Sequence, residues 1–177
     1  MDQVTLPYQE LIAQCEKGDS RAQISFYEQH YKPVFTTCLR IVGNKVEAED
    51  LMQETFITAF AKLSSLGNKA KVTGWLCTIA RNKSINYIQR ERKTWVDIKD
   101  HDSPAIDDDY KEIDVAYIYK GIKELPEGYR TIMNLYLFEG MNHEQIGTSL
   151  GISASTSRSQ YARAKQRLRQ IIEQHYD

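Results

Sequence analysis

The chain is predicted to be all-α: two small helical domains joined by a flexible acidic linker. Three observations predict this. Apolar residues recur at i, i+3, i+4 and i+7 through most of the sequence, and strand-type alternation is absent. Residues 96–114 break the pattern. They set Asp97, Asp100, Asp102, Asp107, Asp108, Asp109, Glu112 and Asp114 against Lys99 and Lys111, with few large apolar side chains. Such a stretch buries too little surface to offset the entropy of ordering it. Finally, residues 139–169 read as a short helix, a tight turn at Gly151-Ile152-Ser153 and a second helix. That second helix carries Arg158, Arg163, Lys165, Arg167 and Arg169 and no acid. This is the layout of a helix-turn-helix, whose second helix enters the DNA major groove. The expected domains are therefore 1–95 and 115–177, small but viable as helical units, with 96–114 between them.

Element by element, Tyr8, Leu11, Ile12 and Cys15 form one apolar stripe, closed by Gly18. Asp19 then caps a second helix through Ala22, Phe26 and Tyr27. Pro33 is unfavourable inside a helix but suits a first turn, so a third helix is expected to start there and run through Phe35, Cys38 and Val42 to Gly43-Asn44. Next, Ala48, Leu51, Met52, Thr55, Phe56, Ala59, Phe60 and Leu63 fall on one helical face, the core face. Asp50, Gln53, Glu54 and Ile57 fall on another, with the acids near the N-terminus, where the helix dipole favours them. After a break at 64–68, a helix is expected from Gly74-Trp75 to about Lys93. Trp75 and Ile79 share one side of it and read as core, while Ile85 and Ile88 fall away from that side.

In the second domain a helix is expected from near Glu112, through Val115, Ile118, Tyr119 and Ile122. Pro126 opens another, Glu127–Phe138, with the stripe Ile132, Leu135 and Tyr136. In the helix-turn-helix, Asn142 caps the first helix and Gln145 completes a capping box. Gly151 supplies the turn conformation and Ser153 caps the second helix. Ile146, Leu150, Ile152, Tyr161 and Leu168 are expected in the core.

The net charge of −1 conceals a strong pattern. Glu47, Glu49, Asp50 and Glu54 cluster without a base. Lys62, Lys69, Lys71, Arg81, Lys83, Arg90, Arg92 and Lys93 then face Glu91 alone. Two basic blocks separated by an acidic one point to two places that touch polyanion. In the first block, Trp75, Tyr87 and Trp95 lie among the cations; flat rings stack on unpaired bases while cations follow phosphate. In the second, Ser155, Thr156, Arg158, Ser159 and Gln160 occupy the first turns of the recognition helix, where side chains reach base edges. Arg163, Lys165 and Arg167 are better placed for phosphate.

Several classes are disfavoured. No apolar run approaches the ~20 residues of a membrane span, and the first eight residues lack the basic and apolar regions of a signal peptide. Cys15, Cys38 and Cys77 are odd in number and widely spaced, arguing for a reducing cytoplasm and against a disulfide framework or zinc site. His30, His101, His143 and His175 are scattered, and no phosphate loop or His-Glu-x-x-His occurs. Asp107-Asp108-Asp109 reads as solvated charge. No metal, cofactor or small-molecule substrate is expected.

Four ordered pieces carry a family resemblance: Ala48-Glu49-Asp50-Leu51-Met52-Gln53-Glu54-Thr55-Phe56, Trp75-Leu76-Cys77-Thr78-Ile79-Ala80-Arg81-Asn82, Leu125-Pro126-Glu127-Gly128-Tyr129-Arg130, and Gly151-Ile152-Ser153 followed by Arg163-Ala164-Lys165. From about Leu11 to Ile171, apart from the linker, the chain resembles bacterial RNA polymerase sigma factors of the sigma-70 family, of the small extracytoplasmic-function (ECF) type. The resemblance implies a non-enzymatic specificity subunit that binds core RNA polymerase and directs promoter-specific initiation. It implies a region 2-like domain followed by a region 4-like domain. Asp50, Gln53, Glu54 and Ile57 would dock the clamp helices of the largest polymerase subunit. Asn68, Lys69, Lys71, Trp75, Arg81, Asn82, Lys83, Tyr87 and Arg90 would serve the −10 element, reading duplex DNA and the melted non-template strand, with one base extruded beside the loop Leu66–Thr73. Ser155, Thr156, Arg158, Ser159, Gln160, Arg163 and Lys165 would serve the −35 element. An anti-sigma factor, often membrane-anchored, is implied as a partner, and the setting is cytoplasmic, at the inner membrane face when so held.

Two stretches depart from the family pattern. The loop Asn68-Lys69-Ala70-Lys71-Val72 is unlike the common form. Ser157-Arg158-Ser159-Gln160 stands where Val-Lys-Ser-Arg is frequent, and Gln160 removes a guanine reader and admits adenine contact. A linker of about 20 residues stretches to ~65 Å, roughly two duplex turns at ~34 Å each. Tethering two weak DNA contacts raises the effective concentration of the second. The alternatives are a helix-turn-helix regulator acting without polymerase, which would be expected to dimerise, and a DNA-processing enzyme, which would need a nucleophile or metal cluster within 1–95.

Overall fold

A computed structural model describes residues 8–68, 71–91 and 115–176. Among these, every regular element is helical: α1 Tyr8–Glu16, α2 Ser20–Val42, α3 Lys45–Lys62, a single 3-10 turn Leu63–Ser65, α4 Val72–Glu91, α5 Val115–Glu124, α6 Glu127–Leu137, α7 His143–Leu150 and α8 Ala154–Tyr176. The all-α expectation is borne out. The chain divides into two compact units, Met1–Asn86 and Tyr87–Asp177. The expected linker 96–114, with Trp95, Arg92 and Lys93, lies outside the described residues, as does Lys69.

In the first unit, α1 packs on α2 and α2 on α3. Asp19 caps α2 by accepting a bond from the Ala22 amide (2.8 Å), as its sequence position predicts. Gly43, left-handed at φ 74°, ends the helix. Between these ends the structure corrects one expectation, because α2 does not break at Pro33 but runs through it. Proline removes one backbone bond at a cost of about 3 kcal/mol. Against this, Phe26, His30, Val34, Cys38 and Ile41 form one unbroken buried stripe, and burying each large apolar side chain contributes roughly 1.5–3 kcal/mol. Phe26, fully buried, meets the rings of Phe56 and Phe60 of α3 at 6.4 and 5.6 Å. Asn44 caps α3 through bonds from Val46 and Glu47.

In the second unit α8 packs against α5, α6 and α7. Ile122, Leu125, Met133, Ala164 and Ile171 form a buried cluster, with Tyr161 and Leu168 half-buried against it. Arg130 of α6 donates to the carbonyls of Lys123 and Leu125 (both 3.3 Å), satisfying acceptors that the end of α5 leaves open. The helix-turn-helix forms as expected. Asn142 and Gln145 make a reciprocal capping box, Gly151 is left-handed at φ 71°, and Ser153 Oγ accepts from the Thr156 amide (2.9 Å). Gly147 is equally necessary but for a different reason: a Cβ there would lie 2.8 Å from the Ile152 carbonyl oxygen, so only glycine lets the turn close on α7.

Candidate functional site

Three surfaces carry the candidate residues. On α3, Ala48, Leu51, Met52, Thr55, Phe56 and Ala59 are buried, and Thr55 satisfies its hydroxyl on the Leu51 carbonyl. Helical geometry places the opposite face at Val46, Asp50, Gln53, Glu54 and Ile57. All five are exposed, the two aliphatics strongly so: Val46 at 64% and Ile57 at 70%. A large apolar residue this exposed on a well-packed helix gains nothing from the core. Val46 was not among the candidates, although its i, i+4, i+7 relation to Asp50 and Gln53 was readable.

Beside this face, Tyr27, Tyr31 and Phe35 of α2 with Lys45, Glu49, Met52 and Gln53 of α3 line a groove of about 330 Å³. The i, i+4, i+8 ring spacing on α2 was the available signal.

The α4 candidates separate around the helix. The buried stripe is Val72, Leu76, Ala80, Ser84 and Ile88, with Ile85 beside it. This corrects the expectation that Trp75 and Ile79 are core; Ile85 and Ile88, which fall away from their side, are buried instead. The stripe recurs every fourth residue, with Ala80 and Ser84 at its middle, and Ser84 donates its hydroxyl to the Ala80 carbonyl. Lys71, Trp75 and Asn82 consequently share an outer face, with Lys71 and Asn82 exposed and Trp75 half-buried. Arg81 and Tyr87 are half-buried on other faces, Arg90 is exposed, and Asn68 is exposed just before α4. Lys83 is engaged: its Nζ lies 3.1 Å from Glu54 Oε2, tying the acidic face of α3 to α4.

The start of α4 is also fixed to α1 and α2. His30 is buried, with Nε2 3.0 Å from the Tyr8 hydroxyl and Nδ1 3.1 Å from Thr73 Oγ1. A neutral imidazole offers one donor and one acceptor, which matches two hydroxyl partners. Burial holds its pKa below the usual value. Sequence spacing hid this joint, because its members are 22 and 43 residues from His30. Cys15 is buried near Asp19 and Glu16; burial first, then those carboxylates, push its thiol up to about 11, so it is an inert core group.

On α8, Ser155, Arg158, Ser159 and Lys165 are exposed, and Thr156 and Arg163 half-buried. Lys165 Nζ sits 5.4 Å over the Tyr161 ring. Gln160 is the exception and a correction: it is 5% exposed, so it does not reach base edges with the others. Ser157, Gln160 and Ala164 occupy the inward stripe at i, i+3 and i+7, which helical periodicity turns toward the core. The adenine-contact expectation for Gln160 falls with it. Among the described residues no helix is long and apolar enough to cross a membrane, and no group of His, Cys, Asp and Glu is arranged to hold a metal.

Residues 26–94 match the Sigma-70 region 2 family model and residues 116–168 match the Sigma-70, region 4 model. The ECF RNA polymerase sigma factor SigM of Bacillus subtilis is 32% identical over 155 residues, spanning 82% of this chain and 91% of that one. SigE of Mycolicibacterium smegmatis, also an ECF RNA polymerase sigma factor, is 31% identical over 169 residues, 89% of this chain and 65% of that one. Among solved structures, the sigma factor RpoE of Bartonella quintana, in complex with the anti-sigma factor NepR, aligns with TM-score 0.48 and 22% identity over 84% of this chain and 95% of that one. The resemblance read from the four sequence pieces is thus borne out, and the chain belongs to the ECF RNA polymerase sigma factors of the sigma-70 family.

Proposed function

We propose that this ECF sigma factor joins core RNA polymerase through the outward face of α3 and reads promoters with α4 and α8. The domain assignment is 1–95 for docking and the −10 element, 96–114 as tether and 115–177 for the −35 element. The observation that carries the docking role is the exposure of Ile57 and Val46 among Asp50, Gln53 and Glu54. A face with exposed aliphatics at both ends and Asp50, Gln53 and Glu54 between them suits a partner helix that offers arginines between aliphatic contacts. The clamp helices of the largest polymerase subunit are that partner in this reading.

On the −10 side, Lys71, Trp75 and Asn82 present a cation, a ring and an amide along one face of α4, with Asn68 before them. Arg81, Lys83, Tyr87 and Arg90 flank that face. A ring stacks on an extruded base at about 1–3 kcal/mol while cations hold the backbone. On the −35 side, Ser155, Thr156, Arg158 and Ser159 face base edges, and Arg163 and Lys165 follow phosphate. The protein acts in the cytoplasm and catalyses no reaction itself. An anti-sigma factor that covers the α3 face would withhold it from polymerase, at the membrane when that factor is anchored there.

The test is co-purification with core polymerase. D50A/Q53A/E54A should abolish association while leaving the helical circular-dichroism signal unchanged and lowering Tm only slightly, since none of the three is buried and the Glu54–Lys83 pair is worth at most about 1 kcal/mol. Retained binding would reject the docking face.

A further inference from the structure

His143 stands where three helices of the second unit meet. Its ring stacks on Tyr136 of α6, with centroids 4.8 Å apart and planes 17° from parallel. Tyr161 of α8 closes on it at 5.6 Å, and the two tyrosine rings meet at 4.5 Å. Its Nδ1 lies 3.0 Å from Ser157 Oγ. Ser157 is fully buried, and a buried hydroxyl deprived of its partner is costly. The rotation of α8 about its axis that keeps this bond is therefore favoured over its neighbours. Successive residues leave a helix 100° apart, so fixing Ser157 inward fixes Arg158 outward.

We propose that His143 is a positioning residue for promoter recognition: through Ser157 and two tyrosine rings it locks the axial rotation of α8 that presents Ser155, Arg158 and Ser159 to base edges. This rests on α8 being the −35 helix. The groups in contact with the ring are Tyr136 from α6 and Ser157 and Tyr161 from α8, and the outward Arg158 is near enough for its charge to act on it. Burial and the Arg158 cation hold the imidazole neutral, its pKa below the usual 6.5. A proton gained in acid sets a second cation beside Arg158 and pushes that side chain from its place.

The experiment uses holoenzyme assembled from the full chain. Affinities are measured for a duplex bearing the −35 sequence that wild-type holoenzyme selects from a random pool, and for a scrambled duplex. H143F keeps a ring and loses Nδ1; S157A loses the hydroxyl. Each should lower the selected-to-scrambled ratio by about five- to twentyfold, and the double variant by no more than either, since one shared bond is lost. Affinity for the scrambled duplex stays unchanged. The wild-type ratio falls as pH drops through the lowered pKa of His143, whereas that of H143F stays flat. H143N, which keeps an amide near the Nδ1 position, should restore most of the ratio at pH 7 and carries the test if H143F does not fold. Additive losses, equal losses on both duplexes, or an unchanged ratio in both single variants would overturn the inference. A wild-type holoenzyme whose selected pool shows no −35 preference would instead sink the assignment of α8 itself.

Discussion

The two helices assigned to DNA, α4 and α8, are both rich in cations and yet are built differently. In α8 the buried stripe follows ordinary amphipathic spacing, and Arg158 and Lys165 stand outside it. In α4 the stripe is Val72, Leu76, Ala80, Ser84 and Ile88, apolar at both ends with two small residues at its middle, and one cation, Lys83, is already paired with Glu54. Helix α8 displays charge on a conventional scaffold. Helix α4 displays a ring, with its charge partly committed to a neighbouring helix. Reading duplex DNA asks for charge and hydrogen-bonding groups on a rigid rod, whereas capturing an extruded base asks for an accessible flat surface.

The sharpest way to break this comparison is Trp75→Ala. If the ring stacks on a base, promoter opening by holoenzyme should fall by about tenfold or more, from 1–3 kcal/mol of lost stacking, beyond the smaller stability loss that a half-buried ring entails. A core tryptophan would instead cost about 3–5 kcal/mol of stability, visible in thermal unfolding. Arg158→Ala comes next: about 1–3 kcal/mol lost on the preferred −35 duplex and far less on other sequences. An equal loss on all DNA would make Arg158 a phosphate contact. Its control is Gln160→Ala, expected to change stability and not base preference. Gly147→Ala forces a Cβ against the Ile152 carbonyl and should destabilise the second unit by roughly 1–3 kcal/mol, read by denaturant unfolding.

Acidification should also loosen both units. His30 and His143 have lowered pKa values in the fold, so the unfolded chain binds more protons. The stability they contribute is intact well above pH 6.5 and is lost as pH falls through that value toward the lower folded pKa. His30→Asn should flatten part of the Tm-versus-pH curve between pH 7 and 5; an unaltered curve would exclude His30 as a source. The smallest effect belongs to the half-exposed Lys83–Glu54 pair. A double-mutant cycle with K83A and E54Q should give a coupling of at most about 1 kcal/mol.

Helix ends were the most legible part of the sequence, because caps act locally: Asp19, the Asn142–Gln145 box, Gly151 and Ser153 all sit as their chemistry predicts. So did the α3 face, whose period is regular. Pro33 misled because a local penalty was set against a stripe of burial on both sides of it. Trp75 misled because its own hydrophobicity was taken to mark the core side of α4, whereas the buried stripe lies one residue further round the helix, from Val72 through Leu76 and Ala80 to Ile88. Gln160 misled because its position along α8 was read without its position around it. The His30 joint and the His143–Ser157 contact need tertiary neighbours far along the chain, and no window of sequence contains them.

The central claim is that one chain grips polymerase with α3 and selects promoters with α4 and α8. Run-off transcription with bacterial core polymerase, on templates selected by the holoenzyme, tests it most directly. The account predicts transcripts from a defined start site only when the chain is added, lost with D50A/Q53A/E54A and reduced by Trp75→Ala and Arg158→Ala. Folded wild-type protein that yields no initiation above core enzyme alone would contradict it.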